Sequence, residues 1–257
     1  MLSKLFKLLR LQSEPDIGNL KASRDVFGLL QAYAFYQYGS SVPRHEIFMT
    51  LVEIEHPHKL VTLTAALKNE DSRIRNIAAA VLAAAEPSTA IEPLLNSLTD
   101  TDSNVRATAM NALGPLGVTR SVIPLINILT TGNRNERCAA AKSLGELQDP
   151  RAVVPLISVL GDPDPVVGAS VIFALSQLQD IRALPPLMAL VEDTTCALRV
   201  PALQAMASFS DKGVISLLIG ALQDDNELIQ SAALRCLQMI DSSEAKNAIK
   251  IFESRNT

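Results

Sequence analysis

The stretch Ile91-Glu-Pro-Leu-Leu-Asn-Ser-Leu98 comes back as Val122-Ile-Pro-Leu-Ile-Asn-Ile-Leu129, Val153-Val-Pro-Leu-Ile-Ser-Val-Leu160 and Leu184-Pro-Pro-Leu-Met-Ala-Leu-Val191. Its prolines, Pro93, Pro124, Pro155 and Pro186, are separated by the same interval at every step. The same step lands on Leu217, within Ser216-Leu-Leu, downstream and on Thr62-Leu-Thr upstream, where the proline is lost and a leucine still follows. Three more columns keep the period: Leu67, Leu98, Leu129, Leu160, Val191, Leu222; then Leu82, Leu113, Leu144, Leu175, Met206, Leu237; then Ala78, Ala109, Ala140, Val171, Ala202, Ala233. Independent columns sharing one period without insertion mark a repeat architecture.

Inside one unit the apolar residues Val105, Ala109, Ala112, Leu113 and Leu116 form one stripe of helical period. Asp102 precedes them as an N-cap, and Asp71, Asn133, Asp164, Thr195 and Asn226 occupy the same place in the other units. Such side chains accept a free N–H of the first helical turn. Ile91, Leu94, Leu95 and Leu98 belong to the first helix of the unit. Two such helices make an αα-hairpin that cannot bury both apolar stripes alone, so neighbours stack. The fold class expected is therefore all-α, an α-α superhelix of 31-residue hairpins.

The ends are less regular. Residues 1–56 read as divergent N-terminal helices capping the stack, with a degenerate first repeat over about 21–56. There, Lys21–Tyr38 is the expected first helix and Pro43–Glu55 the second. Regular repeats occupy 57–244, and 245–257 forms a C-terminal capping helix. Met1–Arg10 has an apolar stripe of Leu2, Leu5, Phe6 and Leu9 with Lys4, Lys7 and Arg10 around it. It fits a cap on the first repeat, a dock on a partner or a helix lying on an anionic membrane, capping being preferred.

Composition agrees with close-packed short helices: apolar residues make up 48% but aromatics only 4%, with no Trp. A formal charge of −4 gives no general electrostatic case for nucleic acid. No run of 18 apolar residues exists, so membrane insertion is not expected. Cys138, Cys196 and Cys236 are odd in number and far apart, which suits a reducing, cytoplasmic setting.

The segments Asp102–Gly117 and Asn133–Pro150 resemble the short HEAT-like repeat named after phycobilisome lyases. The resemblance spans about residues 57–244 and implies a HEAT or armadillo-like α solenoid. It also implies an Asp-to-Arg ladder, onto which Arg75, Arg106, Arg137 and Arg199 map, each bonding the capping carboxylate or a carbonyl of the adjacent unit. Gly168 and Gln230 replace that Arg in two units. A looser seam is expected at Gly168, either as a functional feature or as drift. Each column proline is expected to bend its first helix, and Pro201 to kink a second helix or act as a hinge.

In such a solenoid the second helices line the concave, partner-binding face. Removing core and ladder columns leaves Arg73, Asn76 and Ile77; Asn104, Thr108 and Asn111; Asn135, Cys138 and Lys142; Val166, Ser170 and Phe173; Val200 and Gln204 as the expected protein-binding residues. His45, Glu46, Met49, Leu228 and Arg235 extend the same rows. Phe173 with Val166 and Val200 makes an apolar spot, readable as a hot spot or, if Phe173 turns inward, as core. Cys138 reads as a small core-like thiol or a reactive one.

His45, His56 and His58 fall within a short span, but His45 and His56 are about three helical turns, about 16 Å, apart. No shared metal is expected. His45-Glu46 is similar to the His-Glu pairs of HEAT-repeat deoxyhypusine hydroxylases, a family needing several such pairs, and the other units have none. No phosphate loop or nucleophile elbow is present. The preferred function is a non-catalytic scaffold or adaptor with no cofactor. The alternative implied by the resemblance is a subunit of a bilin lyase-like complex, a hetero-oligomer with another HEAT-type subunit handling phycobiliprotein chromophores. A metal hydroxylase comes third.

Overall fold

The computed structural model describes residues 15–36, 44–209 and 211–255. Helices and tight turns account for all regular structure among these residues, so the all-α repeat solenoid stands. The amphipathic segment Met1–Arg10 lies outside the described residues. The chain divides into two compact units, Met1–Ser121 and Val122–Thr257.

In the first unit the helices are α1 (Ile17–Ala22), α2 (Val26–Phe35), α3 (Arg44–Glu53), α4 (Lys59–Ala66), α5 (Ser72–Ala85), α6 (Pro87–Ser97) and α7 (Ser103–Leu113). First helices α4 and α6 pack on second helices α5 and α7, and α5 packs on α7. Leu63, Leu82, Leu94 and Leu113, drawn from the repeat columns, are completely buried between the layers. Each fully buried Leu removes enough apolar surface to contribute about 2–3 kcal/mol against exposure.

The expected helix over Lys21–Tyr38 is broken instead into α1 and α2. Arg24 adopts a left-handed φ of 55°, and Asp25 caps α2 by accepting from the Gly28 N–H at 2.9 Å. A capping Asp beside a glycine three positions on favours a fresh start over continuation. Arg24 Nη1 then donates to the Glu55 carbonyl at 3.0 Å, tying the break to the end of α3.

In the second unit the helices are α8 (Val122–Thr131), α9 (Arg134–Leu147), α10 (Val153–Ser158), α11 (Pro165–Leu178), α12 (Leu184–Glu192), α13 (Arg199–Met206), α14 (Lys212–Ala221), α15 (Glu227–Met239) and α16 (Ser243–Arg255). Second helices α9, α11, α13 and α15 pack side by side in that order. Gly145 lets α9 and α11 approach closely: a Cβ there would lie 2.8 Å from the Ala174 Cα.

Five of the six expected caps hold. Asp71, Asp102, Asn133, Asp164 and Asn226 each accept a first-turn N–H, and Asn133 completes a capping box with Glu136. Thr195 does not cap, because α13 starts only at Arg199. That late start also corrects the expected kink at Pro201. The proline sits third in the helix, where no intrahelical N–H bond is lost.

The column prolines behave in the same way in the second unit. Pro124, Pro155 and Pro186 are each the third residue of their α-helix, and 3-10 turns at Pro150–Ala152 and Ile181–Ala183 lead into α10 and α12. Of the four, only Pro93 lies inside a longer helix. At the other three the expected bending gives way to an ordinary helix start.

Candidate functional site

Helices α5 and α7 carry the first two expected rows of the partner face. Asn104 and Asn111 are exposed, and Arg73, Asn76 and Thr108 half-buried. Ile77 is the correction: it is only 2% exposed. Helix α2 packs on α5 as well as on α3, a cover that the repeat register alone did not include.

Four of the expected residues, Arg73, Asn76, Ile77 and Asn104, come together around one polar cavity of about 200 Å³, with Tyr33, Arg44, Ser72, Ala80 and Asp102 completing the wall. Thr108 donates its hydroxyl to Asn76 Oδ1 at 3.1 Å. Arg73 is turned to Asp71, with Nε donating to Oδ1 at 2.9 Å. Burial pushes the Asp102 carboxyl upward, but the Ser72 hydroxyl and the Asn104 and Val105 N–H groups outweigh it and hold it below the ordinary Asp value. Arg44 stacks over Tyr33, Cζ 4.4 Å from the ring centroid, and Nη2 donates to the Tyr33 hydroxyl at 2.8 Å. Tyr33 and Arg44 were not among the expected site residues. Their signal in sequence is weak, because they lie in the degenerate repeat.

The second unit presents a different surface. Asn135 and Lys142 on α9 are exposed and Cys138 is half-buried; Ser170 and Val200 are half-buried and Gln204 exposed. Phe173 is 56% exposed and Val166 46%, so Phe173 faces outward from α11. Leu228 on α15, two repeats after Val166 in the same column, is 70% exposed. Helix α11 carries no charged residue, while Lys142 and Arg235 occupy the same register as Phe173 on α9 and α15. An uncharged apolar strip with cations at its margins is a surface suited to a partner with an apolar anchor.

Gly168 does not open a loose seam. The Leu198 side chain fills the place, its Cδ1 2.6 Å from where a Gly168 Cβ would be. Gly168 is buried, and the position gains packing where Arg75, Arg137 and Arg199 gain an ion pair.

Comparison with known proteins matches these hairpins to one family. The family described as HEAT repeats matches residues 39–114, 60–134, 122–195 and 189–253 in overlapping windows. The chain belongs to the HEAT-repeat family. Among solved structures, YibA of Escherichia coli is 22% identical, with 92% of each chain covered and a TM-score of 0.60. The complex of CpcE and CpcF of phycocyanin lyase from Nostoc sp. PCC7120 is 21% identical, covering 84% of this chain and 98% of that one, with a TM-score of 0.54. An engineered protein is 20% identical over 98% of this chain and 82% of its own, also at 0.54. At these identities the likeness is one of fold. Among curated proteins, no sequence match reaches significance.

In this HEAT-repeat protein the ladder differs from the one expected. Its acids are not the caps but Asp100, Asp162 and Asp224, each two positions before a cap. Arg106 donates to the Asp100 carbonyl at 2.5 Å. Gln230 takes over part of the same role, its Nε2 donating to the Asp224 carbonyl at 2.6 Å. Asp193, which follows Gly168 as Asp100 follows Arg75, bonds Thr195 through the hydroxyl at 2.7 Å and the N–H at 2.9 Å.

The remaining chemistry-bearing residues are spread out. His56 Nδ1 accepts the His58 N–H at 3.2 Å within the turn before α4. Among the described residues no three His, Cys, Asp or Glu side chains are grouped as metal ligands. Cys138 and Cys196 are half-buried; burial pushes the Cys236 thiol above its ordinary value. No helix among the described residues is long and apolar enough to cross a membrane.

Proposed function

We propose that this HEAT-repeat protein is a scaffold or adaptor that holds a protein partner on the second-helix face, the face expected to be concave. The observation that carries the reading is the outward-facing Phe173 with exposed Val166 and Leu228 on α11 and α15, and half-buried Val200 on α13. Leaving such a strip exposed forgoes burial energy, and a partner covering it would recover about 1–3 kcal/mol for a well-packed aromatic anchor. Lys142 and Arg235 flank the strip, which favours a partner segment with an apolar centre and acidic margins. The complex of CpcE and CpcF is a precedent, in a similar fold, for assembly with a second chain.

The test is affinity capture with wild type beside Phe173→Glu and Val166→Glu, with Ile123→Glu on the first-helix side as a control. A partner retained by wild type and Ile123→Glu but lost with Phe173→Glu supports the reading. A partner insensitive to both second-helix changes sinks it. The bilin lyase-like reading rests on the repeat resemblance. Adding a linear tetrapyrrole to the pure protein separates it from the first: a bound, coloured complex favours it, and a colourless protein after gel filtration removes it.

A further inference from the structure

The cavity of the first unit has a composition that selects one kind of ligand. Arg44 sits over the Tyr33 ring, Cζ 4.4 Å from its centroid, and donates to the Tyr33 hydroxyl, so its guanidinium is held by two contacts. Stacking and a fixed donor angle reduce the conformational freedom that an exposed Arg would otherwise lose on binding. Arg44 has no carboxylate partner among the described residues. The other ionic side chains of the wall already have hydrogen-bond partners. Arg73 faces Asp71, and Asp102 accepts the N–H groups of Asn104 and Val105. Asn76 gives its Oδ1 to Thr108, which leaves its amide N–H groups as donors on the cavity wall.

We infer that this cavity is a receptor for a carboxylate group, bound by the Arg44 guanidinium and the Asn76 amide. A planar carboxylate matches the fork of a guanidinium, and the ion-assisted bonds are stronger than neutral ones. Asp102 keeps its negative charge on the same wall, so a carboxylate with one charge is favoured beside Arg44 over a phosphate dianion with two. The carboxylate can come from a chain terminus or acidic side chain of a protein, or from a small free acid; the cavity of about 200 Å³ admits the group from either source. The inference does not rest on the apolar strip of the second unit.

The test uses the full chain and follows the Asn76 side-chain amide in two-dimensional ¹H–¹⁵N spectra. The probes are sodium acetate, N-acetyl-trialanine with a free carboxylate, the same peptide amidated, and inorganic phosphate. The expected result is saturable shifts with acetate and the acid peptide, none with the amidated peptide, and weaker binding of phosphate. Arg44→Gln should weaken acetate by roughly tenfold or more. Tyr33→Phe, which keeps the ring and loses the hydroxyl, should weaken it less. Tighter binding of the acid peptide than acetate assigns the source to a protein partner; equal binding assigns it to a small acid. Phe173→Glu should leave acetate binding unchanged, so failure of the partner surface and failure of the cavity are separable. The inference is overturned if a folded Arg44→Gln binds acetate like wild type. It is also overturned if phosphate binds more tightly, or if no saturable shift appears up to about 50 mM.

Discussion

Arg75 and Asp100 meet in a two-pronged ion pair between successive repeats, with Nε donating to Oδ2 at 2.8 Å and Nη2 to Oδ1 at 2.7 Å. The same Asp100 accepts the Asp102 N–H at 2.8 Å, so one carboxylate fastens the previous second helix to the turn that starts the next. Arg137–Asp162 and Arg199–Asp224 repeat the arrangement with the same Arg-to-Asp separation, each pair two repeats beyond the one before.

Both side chains of the Arg75–Asp100 pair are only 11% exposed. Removing one partner strands the other in a half-dry seam. Arg75→Ala or Asp100→Ala should therefore cost about 2–3 kcal/mol in urea unfolding. A cycle through Arg75→Gln and Asp100→Asn should show coupling of at least about 1 kcal/mol. Additive effects would demote the pair to a surface contact.

Acid should loosen this seam. Burial pushes Asp100 upward, but the Arg75 guanidinium and the Asp102 N–H hold it below the ordinary value; Arg199 does the same for Asp224. Carboxylates depressed in the folded state contribute stability above their unfolded pKa of about 4 and lose it as pH falls through the folded values. Melting temperature should be insensitive to these groups between about pH 5 and 7 and fall below about pH 4. Asp100→Asn should make that fall shallower. An equally steep fall in the variant would assign acid lability to other groups.

At Gly168 the ladder is replaced by packing, and the two solutions exclude each other. Gly168→Arg should destabilise by about 1–3 kcal/mol, because Leu198 already occupies the space. Combining it with Leu198→Ala clears the way toward Asp193. The double variant should then lose at least about 1 kcal/mol less than the sum of the single changes. Strict additivity in denaturant titrations would contradict the exclusion.

Adjacent residues on α11 should respond oppositely to truncation. Ile172 is 1% exposed and Phe173 is 56% exposed. Ile172→Ala should cost about 2–5 kcal/mol by leaving a cavity, whereas Phe173→Ala should change stability by under about 1 kcal/mol. A large loss for Phe173→Ala would place it in the core after all.

Gln148 ends α9 at φ 51° and Gln179 ends α11 at φ 50°; Gly117, one repeat before Gln148, has φ 64°. The period thus reaches the backbone of the turns. Gln148→Gly should relieve left-handed strain and raise stability by about 0.5–1 kcal/mol, read from the melting temperature. A drop would mean that the Gln side chain contributes more than its backbone costs.

Much of the fold was legible because its determinants are local. Leu82, Leu113 and Leu144 recur at one interval, and the caps at Asp71, Asp102 and Asp164 sit two positions before the N–H groups they accept. The prolines were misread where the sequence cannot show how late a helix begins: Pro155 and Pro201 look internal until the preceding turn is known to be 3-10 or irregular. The candidate surface was legible in its rows, with Phe173 and Val166 outward. It failed at Ile77, which is buried on α5, a helix that α2 and α3 pack against from outside the regular repeats.

From the sequence alone came the period, the two-helix unit, the cap positions and the faces of each regular helix. These depend on interactions within a few positions along the chain, repeated at a constant interval. Which acid each ladder Arg meets, how Leu198 fills the gap at Gly168, and that Arg44 and Tyr33 close a cavity with Asn76 were decided only in three dimensions. Those relationships depend on distances between helices set by side-chain volume, and a periodic pattern carries no measure of that distance.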